Sequence, residues 1–293
     1  MKNVLVTGAT GQVGFETILS LMAFSADLNI VAAVRNVAND AKKFIGMPVK
    51  VVAFDFEKCA DFEILFETID ILFLLRPPQI SDVQKVFTPI ISAAKHSKIE
   101  HIVFLSVQGA DKNSIIPHHK IEKLIALSGI PYTFVRPAYF MQNFTSTLLK
   151  DIIVNREIYL PAGKAQFSII DLKDLGLVVA HVLINPRSFV NQSFDVTNRE
   201  LKTFKEMAEE FSQILGYTIQ YRSPNLISFY LRKRREGMAS VFILVMIMLH
   251  YFPRFQKPPV LTNQVFLITG KEPFAFIDFI KREKEIWLKN TDK

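Results

Sequence analysis

The sequence predicts an α/β protein: a Rossmann-type doubly wound parallel sheet with a smaller C-terminal α+β substrate region. Three observations predict it. The first half alternates nearly continuous apolar runs with amphipathic stretches, the pattern of strands buried on both faces of a parallel sheet. The opening VLVTGATGQVG sets Gly8, Gly11 and Gly14 between a strand-like and a helix-like run. Hydrophobic residues make up 49% of the 293 residues, enough for a large core and too much for disorder.

The elements follow in order. Val4–Thr7, Ile30–Val34, Val49–Phe54, Ile71–Leu75, Ile102–Ser106 and Thr133–Arg136 are rich in β-branched and aromatic residues and read as strands. Between them, Gln12–Ala26, Phe62–Ile69, Asp82–Ser97 and Lys120–Ser128 read as helices. Repeated β-α units with short loops imply a doubly wound sheet. Further on, 171–183 reads as a helix, 193–196 as a strand and 203–215 as a helix closed by Gly216. Residues 218–221 read as a strand, 224–251 as two helices broken near Gly237, 265–268 as a strand and 274–288 as a helix. Residues 1–155, completed by 166–197, form the predicted dinucleotide-binding core. Residues 198–293 form a substrate or lid region packed on it.

Composition narrows the function. One cysteine, Cys59, excludes an internal disulfide framework and a thiolate metal cluster, and suits a reducing cytosol. No metal site is expected. No secretory signal pattern opens the chain. The net charge of +7 is scattered, and its densest run, Arg232 to Arg235, reads as a solvated helix face rather than a nucleic-acid patch. The apolar stretch 239–252 is shorter than the roughly 18 to 20 residues that span a bilayer. It reads as a helix buried in a core or lining an apolar pocket.

The glycine loop is the strongest signal. One glycine permits the tight turn, one lets backbone approach a pyrophosphate, and one lets helix and sheet pack closely. The helix start then offers N–H groups to phosphate, so Gly8, Thr10, Gly11, Gln12, Val13 and Gly14 are candidate cofactor contacts. No Lys-Ser/Thr follows, which excludes a kinase-type P-loop. An NAD-binding protein places an acid at the end of the second strand. Here stands Arg35, which suits a 2′-phosphate, so NADP(H) is expected over NAD(H), unless Arg35 only reaches into solvent. Asp55 and Phe56 end the third strand, where adenine would lie. Leu75, Arg76 and Pro77 end the fourth, beside the dinucleotide; a plain surface role for Arg76 stays open.

The pieces VLVTGATGQVG, VVAFDF, HIVFLS, KLIALSGIPYTFVRPAYFMQNF, TFKEMAEEFSQILGYTIQY and FLITGKEPFAFIDFI stand in the order of the NmrA-like family of atypical short-chain dehydrogenases, which the chain resembles over nearly its whole length. The resemblance implies quinone or triphenylmethane-dye reductases, phenylpropanoid reductases, or non-catalytic NADP-sensing regulators. Against ordinary short-chain dehydrogenases, Ser106 keeps the serine-like position, while Ser114 and His118 stand where tyrosine and lysine belong. That departure puts alcohol dehydrogenase or epimerase chemistry in doubt, because both need a base on a hydroxyl.

Hydride transfer to a quinone or dye needs mainly orientation, since the cofactor carries the chemistry. His118 then either supplies a proton or only hydrogen-bonds the cofactor ribose; His119 reads as an exposed helix start. The catalytic candidates are His118, Ser106 and Tyr139. Pro137 should run under the nicotinamide. Phe140 and Asn143, with Tyr139, form one pocket wall, and Phe242, Met246 and Met248 the other. The expected function is NADPH-dependent hydride transfer to a quinone-like or other conjugated small molecule, in a cytoplasmic monomer or homodimer. The alternatives are a non-catalytic NADP(H) sensor and a carbonyl reductase or sugar-nucleotide epimerase-like enzyme with His118 in place of the usual dyad.

Overall fold

The computed structural model describes residues 1–24, 27–58 and 62–288. Ala26, the expected end of the first helix, and Cys59 lie outside them. Along the chain come β1 (Lys2–Val6), α1 (Gln12–Phe24), β2 (Leu28–Val34), α2 (Val37–Asp40), β3 (Val49–Ala53), α3 (Phe62–Phe66), β4 (Ile71–Leu75), α4 (Val83–His96), β5 (His101–Leu105), α5 (Pro117–Ser128) and β6 (Tyr132–Pro137). There follow β7 (Tyr139–Phe140), α6 (Leu149–Asn155), β8 (Glu157–Tyr159), β9 (Gln166–Ile170), α7 (Leu172–Ile184), β10 (Gln192–Val196), β11 (Leu201–Thr203) and α8 (Phe204–Leu215). The chain closes with β12 (Gln220–Arg222), α9 (Leu226–Arg235), α10 (Ser240–Tyr251), α11 (Gln264–Thr269) and α12 (Phe276–Leu288).

Two compact units divide the chain. The first holds Met1–Pro137, Leu172–Val196 and Gln264–Lys271; the second holds Ala138–Asp171, Thr197–Asn263 and the chain from Glu272 onward. The division between Val196 and Thr197 falls beside the boundary expected at 198, and those after Pro137 and Asp171 bracket the one expected at 155.

The first unit carries a seven-stranded sheet in the order β10-β6-β5-β4-β1-β2-β3, with every neighbouring pair parallel. The order reverses direction between β1 and β4, the switch point at which doubly wound sheets bind ligands beyond their strand ends. Thr7 ties the two strands there. Its N–H and Oγ1 both donate to the Phe73 carbonyl, at 3.0 and 2.9 Å, and the Leu75 N–H donates to Oγ1 at 3.1 Å. β4, and β5 after His101, are apolar and almost wholly buried, as strands covered on both faces are.

The second unit has two small sheets, β11-β9-β7 and β12-β8. Its core gathers Phe144, Phe204, Phe211, Phe276 and Trp287, and the indole N–H of Trp287 donates to the Phe144 carbonyl at 3.1 Å. Thr203 and Glu206 form a capping box that starts α8, and Gly216 ends it at φ +79°.

The expected strand at 265–268 is helix α11. Its run of apolar residues fits either element, but here one turn closes as Thr269 Oγ1 donates to the Val265 carbonyl at 2.7 Å. α5 starts three residues early because Pro117, with its preset φ, occupies the first turn.

Candidate functional site

β1 feeds a loop that only glycine can build. Gly8 takes φ +59°, and a Cβ there would lie 2.8 Å from the Leu75 methyl groups. At Gly14, in the first turn of α1, a Cβ would stand 2.4 Å from the Gly8 carbonyl oxygen. The Gly11 N–H donates to that same carbonyl at 2.9 Å. The loop therefore folds onto the start of its own helix. Thr10, Gly11 and Gln12 are left exposed there, Val13 is half-buried, and no acidic side chain occupies the first turn. Free N–H groups and the positive end of the helix dipole make this a place for an anion.

Cations stand by the loop. Lys43 donates to the Thr10 carbonyl at 2.8 Å, with its ammonium 4.1 Å from the centre of the Phe15 ring. Burial lowers its pKa, and Glu16 partly opposes that shift. Sequence reasoning missed Lys43, since AKKF carries no motif and only the 3-10 turn at Ala41–Phe44 brings it back. Arg35 is exposed just past β2, before Asn36 caps α2. Asp55 sits at the end of β3, half-buried, with Lys58 3.8 Å away. The Phe56 ring is buried against Phe54 and Phe87, with centroids 5.0 and 5.9 Å apart.

Arg76 is not a plain surface residue. Its guanidinium is half-buried and donates to the carbonyls of Pro77 and Pro78, each at 3.2 Å, and of Ile80 at 2.5 Å. Its Nε–H points at His118 Nε2, 3.5 Å away. His118 Nε2 is thus an acceptor, and the imidazole is held neutral. Burial, then the Arg76 charge, pushes its pKa down to about 3. Of the two roles left open for His118, a neutral imidazole of this kind suits hydrogen bonding better than proton supply.

His119 Nδ1 donates to the Ala110 carbonyl at 2.9 Å, a structural tie. Ser114 is exposed on the loop before α5. Ser106 differs from both. It is buried at the end of β5, and its Oγ has no hydrogen-bond partner among the described residues. A buried hydroxyl without a partner is uncommon and makes Ser106 a candidate polar contact. Pro137 is buried at the end of β6, where its carbonyl accepts from Gln108 N–H at 3.1 Å.

The remaining candidates lie in the second unit. Tyr139 donates its hydroxyl to His250 Nε2 at 3.3 Å, and His250 Nδ1 donates to the Met246 carbonyl at 2.6 Å. Burial raises the Tyr139 pKa, with a side-chain hydrogen bond to Asn143 opposing it, and lowers that of His250 to about 4. Both stay neutral at pH 7. Phe144, Phe167 and Phe204 ring this pair. In the sequence His250 stands inside an apolar run, with no motif to mark it.

Phe140 and Asn143 are half-buried near Tyr139 in the chain. The expected opposite wall does not form as one face. Met246 points into the core, while Phe242 and Met248 are on the solvent side of α10. The basic run is likewise divided. Lys233 is buried against Asp151 (2.6 Å) and Glu236 (2.8 Å), and Arg232 bonds Glu157 at 2.5 Å, so only Arg234 and Arg235 are exposed.

With this geometry in hand, the NmrA-like family matches residues 1–241, and the chain belongs to that family. It is 27% identical over 279 residues to prestalk A differentiation protein A of Dictyostelium discoideum, covering 95% of this chain and 91% of that one. It is 28% identical over 242 residues to the NAD(P)H azoreductase of Xenophilus azovorans, covering 81% of each. The triphenylmethane reductase of Citrobacter sp., solved with NADP(H), shares the fold with a TM-score of 0.84 at 21% identity, over 96% of this chain and 99% of that one.

Proposed function

We propose that this NmrA-like protein is an NADPH-dependent oxidoreductase that passes hydride to a flat conjugated small molecule, quinone-like or dye-like. The observation that carries the reading is the loop Gly8–Gly14, folded onto α1, free of acidic side chains in the first turn and flanked by Lys43. A pyrophosphate has the charge to occupy that place. Arg35 suits the extra phosphate of NADPH, which favours it over NADH. Ser106 Oγ offers an unused donor and acceptor at the strand ends. When bound, NADPH supplies the hydride.

The residues of the chain then orient and hold charge rather than move a proton. His118 is neutral with its Nε2 engaged by Arg76, and the Tyr139 proton is directed at His250. An acceptor that needs no protein-borne proton fits such groups. A triphenylmethane cation takes hydride alone, and a reduced quinone takes its protons from water. Carbonyl reduction or epimerisation needs an acid or base of matched strength, and an imidazole of pKa about 3 is poor at either. The named substrates of two relatives, azo and triphenylmethane compounds, are conjugated in the same way.

No described helix is long and apolar enough to cross a membrane. The reading takes the protein as a cytoplasmic monomer or homodimer with a small-molecule substrate and no nucleic-acid partner.

The test is NADPH oxidation with menadione, benzoquinone, a triphenylmethane dye, an azo dye and an aromatic aldehyde, with NADPH and NADH binding followed by fluorescence. Turnover with quinones or dyes but not the aldehyde is expected. Tight NADPH binding without oxidation by any acceptor would overturn the enzyme reading and leave a nucleotide-binding regulator. Failure to bind either nucleotide would overturn both.

A further inference from the structure

α10 is apolar on its buried and its exposed face alike. A surface helix of a soluble protein buries its apolar stripe and shows charge to water. α10 does bury Ile243, Met246 and His250 in the core of its unit. Its opposite face carries Val241, Leu244, Met248 and Leu249, continued by Phe252 and Phe255 in the 3-10 turn Phe252–Phe255. These side chains are open to solvent: Val241 is 66% exposed, Leu244 57% and Phe255 72%. No charged residue interrupts SVFILVMIMLHYF. A continuous exposed apolar face of this kind marks an interaction surface.

The exposed charges nearest its two ends have one sign, because Glu236 is half-buried against Arg232 and Lys233. Arg234 and Arg235 are exposed before it, and Arg254 and Lys257 after it. Between Glu236 and Glu272 the chain holds no acidic residue at all.

We propose that α10 and the turn after it dock on an anionic lipid surface. The helix would lie in the headgroup plane with its apolar face sunk toward the acyl chains. Its length of about 18 Å is too short to span a bilayer and suits an interfacial position. The flanking arginines and lysine would meet lipid phosphate. Charge complementarity favours lipid over a second copy of the chain. A twofold dimer sets a patch against itself. The same four cations of each copy would then crowd together, and Glu236, the one acid among them, is already bonded to Arg232 and Lys233.

The test is co-sedimentation of the full-length protein with phosphatidylcholine vesicles, with and without about 30% phosphatidylglycerol. Two double variants accompany it, Leu244→Glu with Leu249→Glu, and Arg234→Glu with Arg235→Glu. All four side chains are exposed, and only Arg234 gives up a hydrogen bond, to the Met238 carbonyl at 2.7 Å, so thermal melts should move little. We expect binding to the anionic vesicles that weakens by about tenfold or more in either variant, with added salt, or without phosphatidylglycerol. A protein that stays in the supernatant at low salt would overturn the proposal. So would vesicle binding indifferent to both variants. A lipid-free dimer broken by Leu244→Glu, with no vesicle binding, would assign the face to a second copy.

Discussion

Arg76 gives its Nε–H to Nε2 of His118 across 3.5 Å, and this contact joins the end of β4 to the start of α5. Burial, and after it the Arg76 charge, makes a positive imidazole costly there, so the His118 pKa falls to about 3.

Stability should follow. The unfolded histidine titrates near 6.5, and the folded one near 3. Its folded pKa is depressed, so acid favours the unfolded chain. The native advantage is intact above pH 6.5 and lost progressively as pH falls from 6.5 toward 3. Between pH 6.5 and 4, 2.5 pH units at 1.36 kcal/mol each give a loss of about 3 kcal/mol. His101 and His250 are shifted in the same direction and add to the total acid sensitivity. The measurement is urea unfolding at pH 7 and pH 4 for the native protein and for His118→Gln. The variant should lose about 3 kcal/mol less over that interval; equal losses would show that His118 is not buried neutral.

The glycine loop yields a second prediction. A methyl group at residue 14 would sit 2.4 Å from the Gly8 carbonyl, a backbone atom that cannot swing aside. Gly14→Ala should cost about 1–3 kcal/mol of stability through overpacking. It should also push the loop off α1, so NADPH binding measured by fluorescence should fall by more than tenfold. Retained affinity with lowered stability would mean that the loop position does not set binding.

The sheet and the glycine loop were both readable in the sequence, for reasons local to the chain. Ile71–Leu75 and Ile102–Leu105 are covered on both faces, so their apolar runs are continuous. Gly8 and Gly14 answer a steric demand that a few residues define. What stayed hidden depends on distant partners. Lys43 reaches Thr10 from 33 residues away, and Lys233 is buried by Asp151, 82 residues away. Strands such as Tyr139–Phe140 and Glu157–Tyr159 are too short to show a period. α10 reads as a core helix because its outer face is apolar too, and sequence pattern has no way to report that this face is uncovered.

Arg35 carries the cofactor preference in the proposed reading. Arg35→Glu removes a cation and places an acid where a ribose 2′-hydroxyl would accept one. NADPH should bind roughly 10- to 100-fold more weakly, and NADH no worse than before. Parallel fluorescence titrations decide it. An unchanged ratio of the two affinities would show that Arg35 faces solvent only and that the 2′-phosphate is met elsewhere, with Lys43 the next candidate.

The last prediction concerns Lys233 and Asp151, whose side chains are 3% and 2% exposed and 2.6 Å apart. Burial raises the Asp151 pKa even though Lys233 and Arg232 pull it down, so desolvation outweighs the attraction at that carboxylate. A pair in this balance is costly to break and cheap to replace. Lys233→Met leaves Asp151 with Arg232 at 3.4 Å as its remaining cation and should destabilise by about 3 kcal/mol. Adding Asp151→Asn removes the stranded charge but keeps an acceptor for Asn155, which already donates to Asp151 at 3.4 Å. The double variant should therefore recover to within about 1 kcal/mol of the native protein. Urea midpoints of the two single variants and the double variant complete the cycle. If the double variant is as unstable as the sum of the singles, the two side chains are not coupled and the stranded charge is not what destabilises Lys233→Met.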